Sequence, residues 1–238
     1  MDQFTARLIE KREVAKNRMA FLFVIKNSAY KYQAGQYAHF TIPFPVEDDK
    51  KGNTRPMSIA NAPSANGSIM IVARIGESAF SQNLMALKVD EEILVSEPKG
   101  ELKLPGDKNI PVVLIAGGTG ITPVRGFVEE EISGNSGRKM LVIYGNRNLE
   151  EAAFAEEFLQ WEKMNSNLKF VPVFENTANA EGNYEAGLIT NEILKKHILN
   201  LDEHFYFIIG PTGMVETVSA ILTSSGVKEE NILVERFS

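Results

Sequence analysis

The 238-residue sequence contains no cysteine, which excludes a disulfide, a cysteine nucleophile and a thiolate-ligated iron–sulfur cluster in this chain. Histidine is nearly as scarce. His39, His197 and His204 lack His-x-x-x-His spacing, read as ordinary surface or strand residues, and lead us to expect no protein-bound metal. No apolar run approaches the roughly 18–20 residues that cross a bilayer, so no membrane span is expected. The opening stretch MDQFTARLIEKREVAKNR has no apolar h-region, and a cytoplasmic protein is the expectation. The formal net charge is −6 with no long basic tract, which argues against a nucleic-acid surface. Arg7, Lys11, Arg12, Lys16 and Arg18 do gather near the start. A solvated face is the plain reading of that group, and a face for an acidic protein partner the sharper one.

What is present is a globular composition, 44% hydrophobic and 24% charged, set out in two rhythms. The first ~105 residues read as short strands: FTARLIE, MAFLFVIK, GQYAHFTIP, RPMSIANAP, SIMIVARIG and EEILVSEPKGEL, with SAFSQNLMALK the one helical pattern. Closely spaced strands of this kind predict an antiparallel barrel or sandwich. From about residue 110, apolar runs at 112–116, 140–145, 169–174, 205–210 and 231–237 alternate with helical patterns at 123–132, 151–164, 187–199 and 213–225. That alternation predicts a parallel, doubly wound sheet. LPGDKNIP (104–111) is the natural joint, so two domains are expected, 1–105 and 106–238.

The stretch VVLIAGGTGITPVRGFVEEEI (112–132) sits at the first strand-to-helix junction of the second half. Gly117, Gly118 and Gly120 lack a Cβ, so a ligand can approach the backbone N–H groups. Thr122 suits an N-cap and Pro123 the first helical position. Amides and helix dipole then favour a pyrophosphate beyond the strand's carboxyl end. The pattern is not G-x-G-x-x-G, and no G-K-[ST] follows, which argues against a P-loop hydrolase. A tight turn with no ligand is the bland alternative.

RPMSIANAP (55–63) presents a second candidate. Arg55 offers a forked cation on an extended segment stiffened by Pro56, which suits a phosphate. Ser58 lies close enough to offer a hydroxyl to a ring attached to that phosphate. Downstream, Gly76 precedes a short helix starting near Ser78, whose amides and Ser81 hydroxyl could hold another phosphate group. From their residues alone, ordinary barrel turns are the plainer reading of both stretches.

Taken in order, these stretches resemble the ferredoxin–NADP⁺ reductase superfamily along nearly the whole chain. RPMSIANAP is similar to its R-x-[YF]-[ST] flavin motif, GESAFSQNL to its G-x-x-S-x-x-L flavin-phosphate segment and EPKGELKL to its G-P-x-G-x-F-x-L strand. GGTGITP resembles the family's nicotinamide-cofactor loop, YGNRNLEEAAFAEEF its Y-G-x-R segment, IIGPTGMV its C-G-P-x-x-M and VERFS its C-terminal E-x-[YF].

The resemblance implies a flavin on a six-stranded antiparallel barrel and NAD(P)H on a five-stranded parallel sheet. Arg55, Pro56, Met57 and Ser58 would then line the flavin, with Gly76, Ser78 and Ser81 on its phosphate chain. Gly118, Thr119, Gly120, Thr122 and Pro123 would form the nucleotide's pyrophosphate loop. Arg147 would lie beside the adenosine ribose, and Gly210, Pro211 and Met214 under the nicotinamide arm. Glu235 and Phe237 would close the flavin's far face. Ser58 and Glu235 become the candidate catalytic residues, for a hydride transfer from nicotinamide to flavin followed by release of electrons to a separate acceptor. Ferredoxin, flavodoxin, an oxygenase component or free flavin would fill that role.

Three positions depart from the family pattern. Met57 stands where an aromatic ring usually stacks on the flavin, Ile209 where a cysteine often lies near the nicotinamide, and Phe237 is followed by Ser238 where plant-type members end in tyrosine. FAD is favoured over FMN, because the separate Gly76–Ser81 segment suits a pyrophosphate. VFENTAN places Glu175 near the expected ribose, where a carboxylate would repel a 2′-phosphate, and this favours NADH over NADPH; Arg147 argues the other way. Two further readings stay open: a flavin-free dehydrogenase, which lacks a Tyr-x-x-x-Lys pair, and a non-catalytic flavin- or nucleotide-binding subunit of a larger complex.

Overall fold

A computed structural model describes residues 3–27, 29–47, 50–63, 67–178 and 182–237; Ser238 and the Asn179 of VFENTAN lie outside them. The chain divides into two compact units, residues 1–103 with 125–130, and residues 104–124 with 131–238.

The first unit carries β1 (Gln3–Ala15), β2 (Arg18–Val24), β3 (Tyr37–Thr41), β4 (Thr54–Ser58), β5 (Ser68–Arg74), helix α1 (Ala79–Ala86) and β6 (Glu92–Ser96). The strands hydrogen-bond in the order β4-β3-β6-β1-β2-β5, and every pairing is antiparallel. No ladder joins β4 to β5 among the described residues. Side chains alternate across the pleat, so Ala6, Leu8, Phe23, Ala38, Phe40, Ile93 and Val95 fall on one buried face. β1 runs five residues beyond the apolar FTARLIE pattern. Its second half is polar and exposed, and register shifts between Leu8 and Glu10 and between Glu13 and Ala15 keep it paired to β2.

The basic group near the start is distributed rather than clustered. Lys11 donates to the Met85 and Leu87 carbonyls at 2.7 and 2.8 Å, capping the end of α1, and Arg7 pairs with Asp90.

The second unit carries β7 (Val112–Gly117), α2 (Ile121–Ser133, whose middle residues 125–130 group with the first unit), β8 (Met140–Asn146), α3 (Ala155–Met164), β9 (Leu168–Phe174), β10 (Glu185–Ala186), α4 (Asn191–His197), β11 (Phe205–Pro211), α5 (Thr212–Ser224) and β12 (Ile232–Phe237). Its order is β10-β9-β8-β7-β11-β12, parallel throughout. The sequence leads to five strands here; two-residue β10 is a sixth, at the edge beside β9. All six residues of β7 are buried, as expected for a central parallel strand. The helical pattern at 187–199 shortens to α4, which Thr190 caps through its hydroxyl. The pattern at 151–164 yields α3 only from Ala155, behind a left-handed Phe154 at φ 63°.

The joint segment 104–111 is held by one buried charge. Arg138, 1% exposed, donates to Glu131 at 3.2 Å and to the Ile110 carbonyl at 2.8 Å, and it also reaches the Pro105 carbonyl. Burial alone would raise the Glu131 carboxyl, but hydrogen bonds from Lys108 and Ser136 and the Arg138 charge outweigh it and hold that carboxyl below its usual range. Among the described residues no helix is long and apolar enough to cross a membrane, and no group of three His, Asp or Glu side chains could hold a metal.

Candidate cofactor sites

In the second unit, β7, β8 and β9 step outward in one direction and β11 and β12 in the other, so the sheet reverses between β7 and β11. A crevice at the carboxyl ends of the strands is the physical consequence of such a reversal. Gly117 closes β7, residues 118–120 make one tight helical turn, and α2 starts at Ile121. The helix thus begins two residues before the expected Pro123. Thr122 is not the N-cap but a buried residue of the first turn, and Pro123 lies where an N–H still lacks an intrahelical acceptor. Gly118 takes φ +54°, and its carbonyl accepts the Tyr144 hydroxyl at 3.1 Å. Thr119 is half-buried beside it.

The glycines of this turn are required by close packing. A Cβ on Gly117 would meet Met214 Sδ at 2.6 Å and Pro211 Cδ at 2.9 Å, and one on Gly120 would overlap the Ile209 carbonyl oxygen. Gly210, at φ +157°, would bring a Cβ to 2.8 Å from Met214 Cε. The GGTG turn and the IGPTGM segment therefore interlock at the switch point. Across it, Glu235 pairs in register with Ile209, and Phe237 with Pro211. Glu235 is half-buried, and burial raises its carboxyl pKa.

Arg147 and Glu175 leave the carboxyl ends of the neighbouring strands β8 and β9. The Glu175 amide donates to the Asn146 carbonyl at 3.1 Å and the Asn176 amide to the Arg147 carbonyl at 2.7 Å, so the two loops travel together. Both side chains are exposed, with Arg147 3.8 Å from Glu151.

In the first unit, Arg55 lies on edge strand β4, between exposed Thr54 and Pro56. Its guanidinium donates to the Lys51, Gly52 and Thr54 carbonyls at 2.9, 2.8 and 2.8 Å, and sits 5.3 Å from the centre of the Phe80 ring. Phe80 is the second residue of α1, so the structure brings the RPMS strand against the start of the SAFSQNL helix. Ser78 is the helix N-cap, accepting the Ser81 amide at 3.3 Å. Ser81 is turned inward: its hydroxyl donates to the Gly76 carbonyl at 2.8 Å and contacts the Ser78 carbonyl at 3.0 Å. Gly76 faces open space. Met57 packs partly against the core, and Ser58 is half-buried opposite Tyr37.

Two asparagines that the motifs contain, but sequence reasoning passed over, hold these segments. Asn61 accepts the Met70 amide at 2.6 Å and donates to the Ser68 carbonyl at 3.0 Å. Asn83 accepts the Val46 and Glu47 amides at 2.8 and 2.9 Å and donates to the Glu47 carbonyl. A polar amide inside an otherwise apolar pattern is the signal that marks both.

Comparison with known proteins agrees with this division. Residues 5–104 match the family model described as oxidoreductase FAD-binding domain, and residues 114–220 match the oxidoreductase NAD-binding domain. The chain belongs to the ferredoxin–NADP⁺ reductase superfamily. It is 24% identical over 87% of its length to the reductase component 1 of terephthalate 1,2-dioxygenase from Comamonas sp, of which it covers 60%. It is 26% identical to a probable flavin reductase of Aliivibrio fischeri, covering 94% of this chain and 93% of that one. The chain spans about half the length of the Na(+)-translocating NADH-quinone reductase F subunits that it also matches. Among solved structures, the FAD/NAD-binding domain of nitric oxide dioxygenase from Vibrio cholerae aligns at a TM-score of 0.88 with 22% identity, covering 100% of this chain and 99% of that one. This shows the fold.

The residues present fit the two cofactors of the superfamily. Arg55 with the N-terminal turn of α1 offers a cation and helix amides to a flavin's phosphates. The interlocked glycine turn offers bare backbone and a helix start to a nicotinamide nucleotide.

Proposed function

We propose that this protein is a flavin-dependent NAD(P)H reductase whose residues 1–105 hold FAD and whose residues 106–238 hold the nicotinamide nucleotide. The observation that carries the reading is the glycine turn at the reversal of the parallel sheet, locked against Gly210, Pro211 and Met214. When bound, the reduced nicotinamide supplies a hydride and the flavin accepts it; the chain contributes binding, orientation and exclusion of water.

On this reading Arg55 neutralises flavin phosphate, with Pro56, Met57 and Ser58 along the flavin and the Gly76, Ser78 and Ser81 turn on its phosphate chain. Ser58 would hydrogen-bond the ring. Gly118, Thr119, Gly120, Thr122 and Pro123 form the pyrophosphate loop, Arg147 serves the ribose, and Gly210, Pro211 and Met214 carry the nicotinamide arm. Glu235 keeps a proton more readily than an ordinary carboxylate, which suits a group beside a reacting ring, and Phe237 covers it. FAD is preferred over FMN because the Gly76–Ser81 turn adds a phosphate-sized grip to that of Arg55.

NADH is the preferred donor. Glu175 is exposed at the end of β9, with its backbone tied to the loop that carries Arg147, and its charge opposes a 2′-phosphate. Electrons leave to a separate acceptor, an oxygenase component or free flavin. The dioxygenase reductase component and the probable flavin reductase support these two choices respectively.

The test is anaerobic addition of NADH and of NADPH to FAD-loaded protein. The reading predicts bleaching of the flavin absorbance by NADH at lower concentration than by NADPH. Flavin binding without bleaching by either would favour the non-catalytic subunit, and no flavin binding would remove the proposal.

A further inference from the structure

The first unit holds a groove of about 670 Å³, lined by Ile42, Pro43 and Phe44 on one wall and by Asp90, Glu91, Glu92, Ile93 and Leu94 on the other. None of the residues assigned to the flavin lines it. Its origin is a parting of two strands. β3 pairs with β6 only through Phe40–Val95 and Thr41–Leu94. The next residue, Ile42, turns its amide to the Asn53 carbonyl, and Pro43 has no N–H to continue the ladder. Glu92 and Ile93 stay paired to Arg7 and Ala6 of β1, but β3 has left their other side.

Two properties of this opening identify what fits it. Ile42, Leu87 and Ile93 are buried beneath it, while Phe44, which lines it, is 90% exposed. An aromatic ring left exposed at the mouth of an apolar opening is surface that a partner's side chains would cover. Its β6 wall begins with three consecutive carboxylates, of which Asp90 is paired with Arg7 and Glu91 accepts the Lys88 amide through its side chain. Glu92 is exposed and presents a carboxylate at the groove. An incoming chain thus meets an unextended strand edge, apolar floor and negative charge.

We propose that this groove docks an extended segment of a partner protein in which lysine or arginine alternates with aliphatic residues. The segment would add as a strand beside β6, with apolar side chains on Pro43 and Phe44 and basic ones toward Glu92. The proposal is independent of the cofactor reading.

The probe is a synthetic ten-residue peptide alternating lysine and valine, titrated into the 238-residue chain and followed by backbone amide chemical shifts. A glutamate–valine peptide of the same length is its charge-reversed control. Saturable shifts confined to residues 42–46 and 90–94, at least tenfold weaker binding by Glu92→Lys and by Phe44→Ser, and no such shifts with the control are the expected result. Both variants should keep the wild-type unfolding midpoint in urea, which shows them folded. Equal binding of the two peptides, shifts centred elsewhere, or undiminished binding by both variants would overturn the proposal. So would shifts of the same residues on raising protein concentration without peptide, which would give the groove to a second copy of the chain.

Discussion

The two segments proposed to hold a phosphate are built in opposite ways. In the second unit the grip is built from backbone. Gly117, Gly120 and Gly210 are pinned by Met214, Pro211 and the Ile209 carbonyl, and nothing there must move for the turn to keep its shape. In the first unit the grip is a side chain that already has partners, with Arg55 folded onto three carbonyls of its own loop and over Phe80. The difference teaches that the glycine turn is set by packing, whereas Arg55, in the role proposed for it, would exchange protein acceptors for phosphate oxygens.

The comparison can be broken most severely at the packed end. Replacing Arg138 with Ala removes one of the two cations on buried Glu131, which keeps Lys108, and strips the Ile110 carbonyl of its donor; it should cost about 3 kcal/mol in urea unfolding. Next comes Gly120→Val, whose side chain would collide with the Ile209 carbonyl. Overpacking of this kind costs about 1–3 kcal/mol, and NADH binding should disappear while FAD binding persists.

Arg55→Ala should do the reverse. Losing hydrogen bonds to a charged group, about 1.5–3 kcal/mol, should weaken FAD retention about ten- to a hundredfold with little change in unfolding midpoint. Glu175→Ser sharpens the comparison within the nucleotide unit. Removing an exposed charge worth about 1 kcal/mol should lower the KM for NADPH roughly three- to tenfold and leave that for NADH nearly unchanged.

Glu235→Gln gives the smallest effect, and its sign is fixed by burial. The folded chain holds the Glu235 proton more tightly than the unfolded chain, so wild-type stability falls as pH rises from the ordinary carboxylate range through the raised value. The variant should therefore melt above wild type at pH 8, and the difference should vanish toward pH 4.

Much of this was legible in the sequence where a residue's chemistry leaves few choices. A run such as VVLIAG followed by GTG reads as a buried strand ending in a turn of nearly bare backbone, and the strand and turn stand at those residues. The RPMS and SAFSQNL segments were readable as separate pieces, but their meeting through Arg55 and Phe80 depends on tertiary pairing that no local pattern encodes. β10 escaped notice because Glu185 and Ala186 carry no apolar run; the strand exists because β9 offers an edge beside it. The start of α2 was misplaced because Thr122 and Pro123 carry strong capping signals, and the GTG turn ahead of them winds into helical register first. β1 outran its pattern because its polar second half is fixed by β2 rather than by burial.

The most direct measurement is calorimetric titration of FAD and of NAD⁺ into the wild type, Arg55→Ala and Gly120→Val. The account predicts a crossed pattern, with Arg55→Ala losing FAD affinity and keeping NAD⁺, and Gly120→Val losing NAD⁺ and keeping FAD. Loss of the same ligand by both variants would contradict it.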